Sequence, residues 1–191
     1  NGGHQIIAAP AEILGLETIA QAMETPAIRA FLRKVALTEL APHVAAVPGM
    51  TPAQYVDLID RRFANPAIYD TVRRVAFDGS SRHTGAVLPV IRDAIAAGTA
   101  LEGLALSQAL WARMCIGTRE DGSKIEPNDP DWDALTAAAQ ASEADPSAWL
   151  AQRHFYGDIA DDARFSEAFA RWFKALAADG IEATLLAYFK A

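Results

Sequence analysis

At 191 residues, 51% of them hydrophobic and 21% charged, the chain is long enough for one sizeable core and too short for two large domains. Lys and Arg total 17 against 24 Asp and Glu, and the resulting net charge of -7 argues against nucleic acid or an anionic membrane surface as a partner. With no secretory leader and no apolar run of about 18 residues, the sequence reads as soluble and cytoplasmic.

In chain order, helical spacing of apolar residues dominates and strand signals are almost absent. A first helix is expected from about His4 to Met23, bent or broken by Pro10 and Gly15. The next segment aligns Ile28, Phe31, Leu32, Val35 and Leu40 on one side. Thr51, Pro52 and Gln54 then form a capping-box start, and Asn65-Pro66 repeats that opening for a helix through Phe77. Asp78 to Ser81 reads as a turn. Two helices follow, the second ending "WARMCIG", where Cys115, the single cysteine, is expected to be a buried, inert thiol. A lone cysteine also excludes an internal disulfide and a cysteine-based zinc cluster. "TREDGSKIEPNDP" is the longest polar stretch, and its Asp121-Gly122 suits the tip of a short hairpin. Three further helices, the last capped by Gly180, precede a final "IEATLLAYF". The expectation is one all-α domain over 1–191, with eight to ten short helices.

Three places carry candidate chemistry. Asn1 and His4 are three apart, so on a helix they project from one face. Gly2 and Gly3 between them weaken a helix but permit close approach of another group. A lone His near a helix start is more often an ordinary surface or core residue, and only the neighbouring Asn raises its interest. Arg74 falls opposite the stripe of Ile68, Val72, Val75 and Ala76, whereas Arg73 reads as a solvated arginine. Beyond the turn lie Arg82 and His83, and two arginines flanking a turn can hold hydroxyl or anionic oxygens. "NDPDWD" bunches carboxylates but lacks the turn glycine and distal Glu of a calcium loop, so Asp129-Pro130 is read as a helix cap and no metal is expected. Trp111, Trp132, Trp149 and Trp172 read as packing residues. No glycine-rich strand-turn-helix unit is present.

"NGGHQ", "RFANPAIYDTVRRVAFDGSSRH" and "ALWARMCIGTREDGSKIEPNDP" together resemble the C-terminal helical domain of the mannitol dehydrogenase family, in order and spacing along essentially the whole chain. The resemblance implies a multi-helical domain of the 6-phosphogluconate dehydrogenase C-terminal-like kind. Its partner would be an N-terminal Rossmann domain, absent from this sequence, that binds most of the NAD or NADP. The family motif is a Lys, four residues, an Asn, two residues and a His. Asn1 and His4 match its second and third members, and the Lys would lie upstream of Asn1. On one helix the three would fall within a sector of about 140°.

By resemblance, the Lys is the general base, Asn1 donates to the developing alkoxide, and His4 binds and orients substrate hydroxyls. Arg74 and Arg82 match positions that hold the polyol, although the second is commonly Lys in the family. The implied activity is metal-independent interconversion of D-mannitol and D-fructose, or a similar pair. A hexuronate reductase acting on fructuronate and mannonate is the alternative within the family, with Arg82 as the carboxylate-binding cation. A non-catalytic helical binding domain is the alternative outside it. On its own, the 191-residue chain is expected to be inactive.

Overall fold

The computed structural model describes residues 2–190. Its helices are α1 (Gly2–Ile13), α2 (Ile19–Glu24), α3 (Pro26–Val35), α4 (Pro52–Phe63), α5 (Val72–Ala76), α6 (Gly79–Ala86) and α7 (Leu88–Ala97). The second half holds α8 (Glu102–Cys115), α9 (Trp132–Ala141), α10 (Ser147–Leu150), α11 (Arg153–Tyr156), α12 (Ala163–Asp179) and α13 (Ile181–Tyr188). A π-helical turn, Ala36–Leu40, continues α3, and short 3-10 turns cover Ala41–His43 and Gly157–Asp161. Among the described residues the only β pairing is two isolated antiparallel bridges, Thr18 with Thr71 and Thr118 with Lys124. The second closes the hairpin expected at Asp121-Gly122, where Gly122 takes φ 82°. No described helix is long and apolar enough to cross a membrane.

At the centre lies α8. Every residue from Gly103 to Ala112 is buried, which a helix apolar around its whole circumference requires. It packs against α12, α1, α9 and α3. Burying a helix strands the amide N–H groups of its first turn, which have no intrahelical acceptor. Glu39, on the π turn and itself 3% exposed, supplies one: its Oε1 accepts from Gly103 N and its Oε2 from Leu104 N, at 2.9 and 2.8 Å. The Tyr188 hydroxyl donates to the same Oε1 at 2.7 Å, tying α13 to that junction. A Cβ on Gly103 would overlap Val35, the Tyr188 hydroxyl and the Glu39 carboxylate, so glycine is the residue that lets them close on the helix.

A second buried chain of hydrogen bonds runs through the other half. Trp149 Nε1 donates to the Tyr156 hydroxyl, which donates to Gln108 Oε1. Gln108 Nε2 then donates to His83 Nδ1 at 2.9 Å. The direction of donation fixes His83 as the neutral imidazole with its proton on Nε2. Its ring stacks on Trp111 at 4.2 Å and 8°, and burial pushes its pKa down to about 3.

Several sequence expectations meet the structure unaltered. Thr51 and Gln54 form the reciprocal capping box, Gly180 separates α12 from α13 at φ 82°, and the four tryptophans are buried. Cys115 is buried too, and desolvation raises its thiol pKa, an inert thiol.

Others are corrected. Pro10 sits inside α1 without breaking it, and the helix ends at Ile13, before Gly15 at φ 71°, instead of reaching Met23. Asn65-Pro66 starts no helix: Asn65 Oδ1 accepts from Ala67 N in a tight turn, and α5 begins only at Val72, capped by Thr71. Ile68 is consequently 44% exposed rather than in the core. Asp78 to Ser81 is not a free turn, since Asp78 takes φ 58° and α6 starts at Gly79. Asp129 does not cap the helix after it. Its carboxylate receives Ser80 N and Ser80 Oγ, at the first turn of α6. Arg73 is not merely solvated, because its guanidinium donates to the carbonyls of Glu126 and Pro127. The helices number thirteen among the described residues, the excess being single-turn pieces such as α10 and α11.

Glu39→Ala strips acceptors from two buried amides and a buried hydroxyl, and it should cost about 2–4 kcal/mol in urea unfolding. Tyr188→Phe, which removes one partner only, should cost about 1 kcal/mol. A second expectation concerns acid. Unfolded His83 regains a pKa near 6.5 while the folded ring stays neutral to about 3, so the unfolded chain binds the extra proton in that window. This contribution is complete above pH 6.5 and falls as pH drops, at up to about 1.4 kcal/mol per pH unit. Unfolding midpoints measured between about pH 7 and pH 5 should show a shallower slope for His83→Gln than for the parent protein.

Candidate functional site

His4 lies in the first turn of α1, half-buried, with its ring stacked on Phe63 at 4.3 Å and 28°. Phe63 is the last residue of α4 and reaches His4 because α4 stops there. The chain then turns over Asn65 to Ile68, where Ile68 N donates to the Asn65 carbonyl at 3.1 Å, and Tyr69 and Asp70 lead into α5. Ile19 N donates to the Asp70 carbonyl and Val72 N to the Glu17 carbonyl, both at 2.9 Å, so this strip is stitched to the start of α2. Thr71 Oγ1 accepts from Arg74 N and begins α5. Gln5, next to His4, donates from Nε2 to the Val75 carbonyl at 3.2 Å and locks α5 onto α1.

These elements enclose a cleft of about 90 Å³ lined by His4, Ile19, Arg62, Phe63, Ile68, Asp70 and Arg74. Inside it, Asp70 and Arg74 form a two-pronged ion pair: Arg74 Nε donates to Oδ1 at 2.7 Å and Nη2 to Oδ2 at 2.6 Å. The guanidinium holds the Asp70 carboxyl below its ordinary range, and the carboxylate raises the already high Arg74 value. Burial drives the His4 pKa down to about 4, reinforced first by the positive charge of the chain's amino terminus and then by Arg74 and Arg62, and opposed by Asp70. At neutral pH the cleft therefore presents an uncharged imidazole, able to donate and accept one hydrogen bond, beside an aromatic face and a paired carboxylate and guanidinium. Arg62 adds a further positive charge to this lining, whose donors and acceptors suit hydroxyl groups.

The structure thus brings His4 and Arg74 together and adds Asp70, Phe63 and Arg62, none of which was singled out from the sequence. An Asp70-to-Arg74 spacing of four residues was a usable signal for the ion pair. Phe63 had none, since its approach to His4 depends on how α4 packs. Asn1 lies outside the described residues. Arg82 is on α6, where its Nε donates to the Phe77 carbonyl at 2.7 Å, and it does not line the cleft. Cβ atoms placed on Gly2 or Gly3 would meet Leu40, Leu32 and Phe63 only at ordinary contact distances of 3.5 to 3.7 Å, so those neighbours do not demand glycine. Among the described residues no cluster of three or more His, Cys, Asp or Glu is disposed to hold a metal ion.

Fold and cleft define an all-helical domain that offers a small polar site at one helix start and, among its described residues, no strand-turn-helix unit for a dinucleotide. Residues 1–177 match the family model described as the mannitol dehydrogenase C-terminal domain, and the chain belongs to that family. It is 44% identical over 185 residues to a mannitol 2-dehydrogenase of Cereibacter sphaeroides, an alignment covering 97% of this chain and 39% of that protein. A mannitol 2-dehydrogenase of Pyricularia oryzae is 29% identical, over 97% of this chain and 37% of its own length. Among solved structures, the Pseudomonas fluorescens mannitol 2-dehydrogenase ternary complex with NAD and D-mannitol superposes with a TM-score of 0.94 at 28% identity, over 100% of this chain and 39% of that one. D-sorbitol dehydrogenase in substrate-free form gives 0.86 at 25% identity, over 97% of this chain and 38% of that one. The chain spans about two fifths of the length of these relatives.

If burial against Phe63 sets the His4 pKa, its imidazole should titrate near 4 by NMR. Phe63→Ala should move the midpoint upward, toward the ordinary value of about 6.5.

Proposed function

We propose that this domain is the polyol-binding half of an NAD- or NADP-dependent, metal-independent dehydrogenase that interconverts D-mannitol and D-fructose. The observation that carries the reading is the cleft at the start of α1, where a neutral His4 faces Arg74 and Asp70 across an aromatic wall. Family membership supports it, as does the likeness to the Pseudomonas fluorescens enzyme in its ternary complex with NAD and D-mannitol.

In this reading His4 binds a substrate hydroxyl through its neutral imidazole, and Arg74 donates to a neighbouring one. Asn1 takes the role of donor to the developing alkoxide, and a Lys upstream of it acts as general base. Arg82 does not line this cleft, and its part in holding the polyol rests on the family resemblance alone. The described residues contain no glycine-rich turn between a strand and a helix, so they do not form a dinucleotide site by themselves. The domain's own share of the reaction is to bind and orient the polyol.

The NAD-binding domain of the same protein is the proposed partner. A groove of about 340 Å³ runs beside the start of α1, lined by Gly2, Leu32, Leu40, Val47, Tyr55 and Val90 among others, and it gives that domain an apolar seat. The reading places the enzyme in the cytoplasm, and the single buried thiol is compatible with a reducing compartment.

Full-length protein assayed with NAD and a panel of D-mannitol, D-arabinitol, D-sorbitol and D-mannonate should turn over D-mannitol best. Strong preference for D-mannonate would make it a hexuronate reductase, and no turnover of any would leave a helical binding domain. His4→Ala should lower kcat/KM for D-mannitol by about 10- to 100-fold, the loss of one or two substrate hydrogen bonds.

A further inference from the structure

Asp70 is the fixed member of the ion pair in the cleft. Its side chain is 19% exposed and its carbonyl is held by Ile19 N at 2.9 Å, whereas the Arg74 side chain is 61% exposed. Arg74 thus owes its place in the cleft to the carboxylate rather than to packing. The pairing occupies the Nε–Nη2 edge of the guanidinium, one of the edges with which arginine grips a carboxylate two-handedly. The Nη1–Nη2 end remains free for hydroxyls or for a second two-pronged acceptor, so what the pairing removes from the cleft is net charge rather than donors. Around this pair stand the neutral His4 from α1, Arg62 from α4, and the apolar Ile19, Phe63 and Ile68. With Asp70 present, the cleft carries one positive charge in excess; without it, two arginines would face an incoming ligand with nothing to balance either.

We propose, resting on the polyol reading above, that Asp70 is a positioning and charge-selecting residue. It holds Arg74 over the cleft and cancels the guanidinium charge, so that the site favours uncharged polyols over sugar acids more strongly than it would without the carboxylate.

The test uses the full-length protein and the variants Asp70→Asn, Asp70→Glu, Arg74→Gln and the Asp70→Asn/Arg74→Gln double. Asp70→Asn should raise KM for D-mannitol about tenfold with a smaller change in kcat, and shift the D-mannonate to D-mannitol ratio of kcat/KM upward by about tenfold or more. Asp70→Glu should recover most of the parent selectivity. The double variant should bind D-mannitol no worse than Arg74→Gln alone, since Asp70 acts through Arg74. Inorganic sulfate, followed by calorimetry, probes the charge filter without any turnover: Asp70→Asn should bind it about tenfold more tightly than the parent protein. Should Asp70→Asn not fold, Asp70→Ser serves the same measurements.

Unchanged sulfate affinity and an unchanged substrate ratio would overturn the proposal, as would additive losses in the double variant. If the parent protein turns over no polyol, the functional reading falls, and the sulfate measurement still decides the role of Asp70.

Discussion

The Glu39 carboxylate at the first turn of α8 is the constraint on which the architecture depends. A helix buried on all sides contributes apolar area in every direction, but its stranded amides would cost several kcal/mol without an acceptor. Glu39 meets that need from outside the helix, and its position on a π turn explains why α3 does not simply continue. The wider π turn carries the carboxylate to the end of α8, where Gly103 leaves room for it. Once α8 is fixed, α1 packs along it with Gln5 to Ile13 all buried, and only the first turn of α1 reaches the surface. His4 stands at that point of emergence, which makes the cleft a consequence of how the core is closed.

Depth then sets the chemistry. A fully exposed imidazole would titrate within the physiological range; one pressed on Phe63 stays neutral throughout it. A neutral ring interacts with hydroxyls without attracting anions, which fits the paired state of Arg74. In the cleft the Arg74 charge is matched by Asp70 and the His4 ring is kept neutral, while Arg62 leaves one positive charge in excess, and hydrogen-bonding capacity is left over.

Much of this was legible in the sequence where the signal is local. Helical periodicity, the Thr51 capping box, Gly180 and the buried tryptophans depend on neighbours within a turn or two, and they stand as read. The segment from Asn65 to Thr71 was misjudged because Asn-Pro opens helices and turns alike. The turn over Asn65 to Ile68 ends where Asp70 and Val72 pair with Ile19 and Glu17, contacts distant in sequence that only the fold supplies. Asp129 was misjudged for the same reason: its carboxylate serves α6, brought near only by the fold. His83 was placed with Arg82 beyond a turn at Asp78 to Ser81, yet the helix start at Gly79 rotates it inward onto Trp111. The candidate pair His4 and Arg74 emerged from resemblance, and the geometry that unites them, through Phe63 and Asp70, could not be read from spacing.

The wall that the cleft shares with the apolar groove is α4. Arg62 and Phe63 face the cleft, while Tyr55, Val56 and Ile59 line the groove. Yet α4 buries only Val56 and Asp60. It is held to α3 chiefly by polar contacts, with Arg29 gripping Asp60 through two hydrogen bonds and Arg33 reaching Asp57. Asp60 is 5% exposed, so this pair is worth more than a surface bridge, but it fixes one point of a twelve-residue helix and leaves the rest able to tilt. Apolar surface seated in the groove would bury Tyr55 and Ile59 and add the area that α4 lacks on its own. The same contact would hold Phe63 against His4, and with it the desolvation that keeps the imidazole neutral. The groove and the cleft thus share one weakly buried helix, which in this structure already holds Phe63 against His4.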